Sequence, residues 1–219
     1  MPAPLDFQQI LESPTTTYEE GLRFFNGVGL VNQTLKQLAR DLEERGIDYA
    51  VIGAIALNQH GYKRFTSDID VLLTKDGLKK FQSELVGRGY RPAFVGATRK
   101  FRATSQNVPI EIITSGEFPG DGKPKAVVFP DPIEVRVEID GVQTVRLETL
   151  VELKLASGMT GLGRRKDLGD VQELIRALNL DATFAEELDS SVRAIYFELW
   201  NELEAARLQG EAPDAERES

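Results

Sequence analysis

The 219-residue chain contains no cysteine, a single histidine (His60) and a single tryptophan, and no uninterrupted apolar run approaches membrane-spanning length. Without cysteine there are no disulfides, thiolate zinc sites or cysteine nucleophiles. One histidine excludes a histidine-rich metal centre. Positive charge is also scarce: 26 Lys and Arg stand against 35 Asp and Glu, a net charge of −9. That balance weighs against indiscriminate nucleic-acid binding, which rests on phosphate neutralisation by Lys and Arg. The opening stretch MPAPLDFQQILES has neither the basic flank nor the apolar core of a signal peptide. A cytoplasmic protein without a membrane partner is therefore expected.

What is present fits an ordinary globular chain, 41% hydrophobic and 28% charged, long enough to bury a core. Residues 18–46 read as helix, with Leu22, Phe25, Val28, Val31, Leu35, Leu38 and Leu42 at steps of three and four. Residues 49–53 read as a short strand, 54–60 as a helix and 68–73 as the next strand. A polar helix over 76–88 follows, then strands over 91–95, 100–104 and 108–114. The Gly- and Pro-rich stretch SGEFPGDGKPKAVVFPDP is a loop. Residues 134–139 and 142–145 form a hairpin about Asp140-Gly141. Helices are predicted over 147–159, 167–178 and 190–208. The organisation is a helical segment over 1–46, a mixed α/β core over 47–146, a helical part over 147–208 and a disordered tail over 209–219.

Two aspartates, Asp68 and Asp70, interrupt the apolar run that ends in IDVLL. Strand side chains alternate, so Asp68, Asp70 and Leu72 share one face, with the two carboxylates about 7 Å apart along the chain. A bare Asp-x-Asp is more often a solvated strand edge. The other reading is a cation site, and the residue inventory then points to a hard ion with oxygen ligands, Mg²⁺ or Mn²⁺. Gly53 sits at a strand-to-helix turn fifteen positions earlier. Free backbone N–H groups and the helix dipole favour an anion there, and glycine permits a phosphate to approach closely. A phosphate cradle and a carboxylate pair joined by one helix are complementary.

Gly53-Ala54, then Asp68-Ile69-Asp70 between apolar residues, resembles the signature of the polymerase-β-type nucleotidyltransferase superfamily: a Gly-Gly or Gly-Ser turn, a helix, and a carboxylate pair on the next strand. HGYKRFTSDIDVLL, LVELKLASG and RRKDLGDVQEL resemble the bacterial nucleotidyltransferase-like proteins related to AbiEii-type toxins. The likeness spans roughly residues 49–178 and leaves the first and last helices unexplained. It implies a nucleotidyltransferase-like mixed sheet with helical N- and C-terminal flanks, an NTP as substrate, and a cognate antitoxin as a candidate partner. The implied reaction transfers a nucleoside monophosphate from NTP to an acceptor: an RNA end, a protein hydroxyl or a small molecule such as an antibiotic. A nucleotide- or partner-binding domain of the same fold, without catalysis, is the alternative.

The resemblance makes Asp68 and Asp70 metal ligands and asks for a third carboxylate on a later strand. Glu111, charged within the apolar VPIEII, is the candidate, against the simpler reading of an edge residue reaching water. Glu134 and Glu138 are weaker candidates, since their strand alternates like a solvated face. Nucleotide is expected at Gly53, Ala54, Ser67, Lys154 and Asp167. Ala54 departs from the pattern by lacking a second glycine or a hydroxyl, which leaves backbone donors alone at the turn. Lys154 falls in line with Leu147, Leu150 and Val151 on the apolar stripe of its helix, so its ammonium either finds an anion or snorkels to water. The family pattern places phosphate there, supported by Asp167 or Asp170. Asp167 reads equally well as a charge favourable in a helix's first turn. Arg64, Thr66 and Ser67 either touch phosphate or shape the loop, and His60 packs at a helix end. The basic clusters Arg99-Lys100-Phe101-Arg102 and Arg164-Arg165-Lys166 each read as solvated charge. An RNA acceptor would need Arg99, Lys100, Arg102, Arg164 and Arg165 to form a channel beside the aspartates.

Overall fold

A computed structural model describes residues 6–210. Seven strands, β1 (Tyr49–Ile52), β2 (Ile69–Leu73), β3 (Tyr90–Pro92), β4 (Lys100–Ala103), β5 (Pro109–Thr114), β6 (Arg136–Ile139) and β7 (Val142–Val145), form one mixed sheet. Its order is β3-β4-β5-β2-β1-β7-β6. The centre is antiparallel between β1 and β2 and parallel between β2 and β5 and between β1 and β7. Two hairpins, β3-β4 and β6-β7, form the edges. At the tip of the second, Asp140 and Gly141 both take positive φ, 52° and 75°, which gives the turn the twist that the strands need.

Strand alternation splits the core into two layers. Val51, Ile69, Val71, Ile110 and Ile112 pack under α1 (Phe7–Glu12), α2 (Pro14–Phe25), α3 (Leu30–Glu44) and α5 (Lys75–Glu84), meeting Phe7, Phe24, Leu38, Leu42 and Phe81. Ala50, Ile52, Leu72 and Val145 point the other way. They pack under α4 (Gly53–Gln59), α7 (Leu147–Gly158), α8 (Arg165–Leu178) and α9 (Ser190–Gly210), among them Leu150, Val171, Leu174 and Tyr196. Asp70 and Glu111 share this second face, on which α7 and α8 lie. His60 ends α4 with its Nε2 2.8 Å from the Val145 carbonyl, a packing role. No helix among the described residues is long and apolar enough to cross a membrane. The mixed α/β class with helical flanks is the one expected.

Two expectations change. The single helix over 18–46 is two: α2 stops at Phe25, Asn26 turns its amide back to the Leu22 carbonyl at 2.9 Å, and Gly27 takes φ 73°. A left-handed glycine just past a helix end is a stop signal that the apolar periodicity overran. The stripe also shifts, leaving Leu22, Phe25 and Val28 exposed while Phe24 is buried. Glu134 lies not in a strand but in α6 (Pro132–Val135), a single helical turn that Asp131 caps and Pro132 opens. Leu162–Arg164 and Ala182–Glu187 form 3-10 turns between the last helices. The tail expected over 209–219 lies outside the described residues from 211 on, and α9 runs to Gly210.

The join between α2 and α3 is made by Glu20. It is 3% exposed, and its Oε1 accepts the Leu30 N–H at 2.5 Å, serving the first turn of a helix whose N-cap, Gly29, has no side chain to offer. Glu20→Ala leaves that amide without a partner in a buried setting. It is expected to lower stability by about 2 kcal/mol, read from urea unfolding.

Candidate active site

The loop between α4 and β2 is closed by Asn58. Its Nδ2 donates to the Arg64 carbonyl at 2.5 Å, and its Oδ1 accepts the Arg64 N–H at 2.9 Å. Thr66 then donates its hydroxyl to Asp68 Oδ1 at 2.5 Å, so Thr66 orients a carboxylate. The parallel register of β2 and β5 sets Asp70 beside Glu111, and the antiparallel register of β4 and β5 sets Lys100 on the other side of Glu111. The Lys100 ammonium lies 3.2 Å from Glu111 Oε2. Three charged residues thus line up across neighbouring strands on one face.

Gly53 begins α4 with φ 67°, and a Cβ there would overlap the Asp70 carboxylate. Both facts demand glycine: the backbone is left-handed and the space is taken. Pressed against this turn, the Asp70 carboxyl is pushed up to about 7, first by burial and then by the carboxylates of Asp68 and Glu111, with Lys154 and Lys166 pulling the other way.

Lys154 is 8% exposed and projects from α7 between two carboxylates of α8. Its ammonium lies 2.6 Å from Asp170 Oδ2 and 3.3 Å from Asp167 Oδ1. Ser157 donates to Asp167 Oδ2 at 2.8 Å, and Arg64 Nη1 reaches both oxygens of Asp170 at 2.8 and 2.6 Å. Two aspartates engage this ammonium, at the position where nucleotide phosphate supported by Asp167 or Asp170 is expected from the sequence. Arg64 joins the loop to α8 rather than standing free.

A cleft of about 480 Å³ opens over the sheet face. Gly53, Asp68, Asp70, Glu111, Lys154 and Asp167 all line it, together with Arg99, Lys100, Glu117, Phe118, Ser157, Arg164 and Lys166. Ala54 and Ser67, expected at the nucleotide, do not. Glu134 and Glu138 are also absent from it. Arg99 is held by Glu117 at 2.5 Å and Arg102 by the Asn107 carbonyl at 2.9 Å, so the first basic cluster is tied down within the protein. Sequence reasoning missed Ser157, Glu117 and Phe118, for which no local signal exists. It noted Lys166 only within a charge cluster, although the spacing Lys166-Asp167 placed it one residue from an expected site member.

No protein-family model matches the chain, and no curated protein matches it. Among solved structures, it is similar to an antigenic nucleotidyltransferase-like protein from Paracoccidioides brasiliensis, with 17% identity, a TM-score of 0.49, and coverage of 80% of this chain and 90% of that one. It is also similar to the antibiotic-resistance factor ANT(2'')-Ia, at 14% identity and a TM-score of 0.46 over 80% of this chain and 96% of that one. A complex of ANT(2'')-Ia with adenylyl-2''-tobramycin matches over 72% of this chain and 91% of that one, at 14% identity and a TM-score of 0.46. A shared chain path does not carry a substrate with it.

The raised Asp70 carboxyl makes stability depend on pH in a definite sense. The native state holds this proton more tightly than the unfolded chain does. The resulting stabilisation is complete below the unfolded value near 3.8 and is lost as pH rises through about 7. Asp70→Asn, neutral throughout, is expected to be more stable than the parent at pH 8 and to flatten the decline between pH 5 and 8, as followed by urea unfolding. Lys154→Met should do the opposite. It takes the ammonium from two buried carboxylates, leaving Asp170 to Arg64 and Asp167 to Ser157 alone, and a loss of about 3 kcal/mol is expected in the same assay.

Proposed function

We infer that the protein is a metal-dependent nucleotidyltransferase, moving a nucleoside monophosphate from an NTP to an acceptor with release of pyrophosphate. One observation carries the reading: Asp68, Asp70 and Glu111 meet in one cleft with the cations that line it, Lys166 among them. Carboxylates to hold a cation beside cations to hold phosphate are the two halves of an NTP site.

The donors fit a hard divalent ion, Mg²⁺ or Mn²⁺. All are carboxylate oxygens, and Asp70 lies in a field of like charge that an ion would relieve. Among the described residues no group of three or more His, Cys, Asp or Glu side chains is placed to hold a metal ion, so the reading rests on the Asp68 and Asp70 pair. Mg²⁺ usually takes one or two carboxylates and completes its shell with water and substrate phosphate. Asp68 and Asp70 would hold it, and when bound it supplies charge stabilisation to the entering and leaving oxygens. Glu111, beside Asp70 and open to solvent on one side, either completes the oxygen set or accepts the acceptor's proton. The Gly53 turn lets the triphosphate approach the sheet. Asp167 and Asp170 hold Lys154 in place over the carboxylates. The motifs HGYKRFTSDIDVLL and RRKDLGDVQEL favour placement with AbiEii-type proteins, hence a cytoplasmic toxin with a cognate antitoxin.

Incubation with each labelled NTP, Mg²⁺ and cell RNA, protein or small-molecule extract tests the reading, with label transfer as the expected result. Label bound but never transferred would favour the non-catalytic alternative, which the engagement of Glu111 by Lys100 also favours. Asp68→Asn combined with Asp70→Asn is expected to abolish Mg²⁺-NTP binding in calorimetry while leaving the apo fold intact. Glu111→Gln should lose turnover but keep nucleotide affinity, whereas Glu134→Gln and Glu138→Gln should leave turnover unchanged.

A further inference from the structure

We propose that Lys166, at the start of α8, is the residue that binds the phosphates of the nucleotide, and that Lys154 is a positioning residue for Asp167 and Asp170. The proposal rests on the nucleotidyltransferase reading and deepens it.

The cations that line the cleft differ in what already holds them. Arg99 is paired with Glu117 at 2.5 Å and Lys100 with Glu111 at 3.2 Å. Arg164 donates to the Gly120 carbonyl at 3.3 Å, and Lys154 is held by Asp170 and Asp167. Lys166 is exposed and, among the described residues, has neither an ion-pair nor a hydrogen-bond partner. It nevertheless lines the same cleft as Asp68 and Asp70.

Two energetic arguments separate the lysines. Two of the three N–H donors of Lys154 already serve buried carboxylates, and a buried charge left without its partner is strongly unfavourable, so Lys154 has little to spare for phosphate. Around Lys154 the charges are also balanced: Lys154 and Arg64 answer Asp167 and Asp170. Lys166 gives up only water. Its placement is moreover unfavourable for the helix. Arg164, Arg165 and Lys166 gather at the positive end of α8, where cations oppose the helix dipole. The acid of that first turn, Asp167, is turned inward to Lys154 and Ser157. An anion seated at Lys166 relieves this repulsion, and a polyphosphate chelated at the neighbouring aspartates brings one to the place.

The test is calorimetric titration of the full chain with Mg²⁺ and each of the four NTPs, and with Mg²⁺ and inorganic tripolyphosphate, for the parent, Lys166→Met, Lys166→Arg and Arg165→Met. Lys166→Met is expected to weaken binding of both an NTP and tripolyphosphate about tenfold to a hundredfold, with an apo melting temperature unchanged or slightly raised. Lys166→Arg should restore most of the affinity, and Arg165→Met, altering the neighbouring charge outside the cleft, should retain it. A weakening of less than tenfold in Lys166→Met, or an equal loss in Arg165→Met, overturns the proposal while the parent's NTP binding keeps the nucleotidyltransferase reading. Failure of the parent to bind any NTP overturns both.

Discussion

Like charges crowded on one sheet face are the constraint around which this protein is arranged. Asp70 sits between Asp68, two residues before it, and Glu111, its partner across a parallel pair, while the Gly53 turn closes over it from β1. Burial first, and then the repulsion of these neighbouring carboxylates, makes Asp70 hold its proton up to about pH 7. A sheet built for stability alone would place apolar residues there, as Leu72 and Ile113 are placed one step along the same face. Local rules broken without a packing gain mark a site that another molecule completes.

The second charge cluster is of a different kind. Lys154, Arg64, Asp167, Asp170 and Ser157 are mutually satisfied, and their bonds run between the α4–β2 loop, α7 and α8. Buried ion pairs of this sort add little net stability over well-packed apolar groups, but removing one member is costly. Their effect is geometric: the helices are held over the carboxylate face in one orientation, and the loop that delivers Asp68 is anchored to α8 through Arg64. Thr66 and Asn58 complete the same anchoring within the loop. Gly158 belongs to it too, since a Cβ at that position would press into Leu168 and part α7 from α8.

The two clusters together divide the cleft into a repelling floor and a balanced wall. Charge on the remaining rim is mostly compensated within the protein, by Glu117 for Arg99 and by Glu111 for Lys100. With a net charge of −9, the chain's overall field is unfavourable to anions, and positive charge is confined to a few local groups.

Much of this was legible in residue order alone. Alternation in SDIDVLL fixes which face the aspartates share, a glycine after an apolar strand marks the close turn, and the 3-4 spacing of Leu147, Leu150 and Val151 places Lys154 on a buried stripe. These are consequences of strand and helix periods, which act within a few residues. Glu111 was legible as an odd charge in an apolar strand, but only the parallel register of β5 with β2 sets it beside Asp70. The break between α2 and α3 was written in Asn26-Gly27 and Gly29, yet apolar periodicity spoke louder. What holds Lys154, and why Lys166 is left open, was decided by how α7 packs on α8, and the partnership of Arg64 with Asp170 spans 106 positions. Local sequence sets the direction of a side chain along its own element. Which charge it meets depends on register and helix packing, and those are properties of the assembled core.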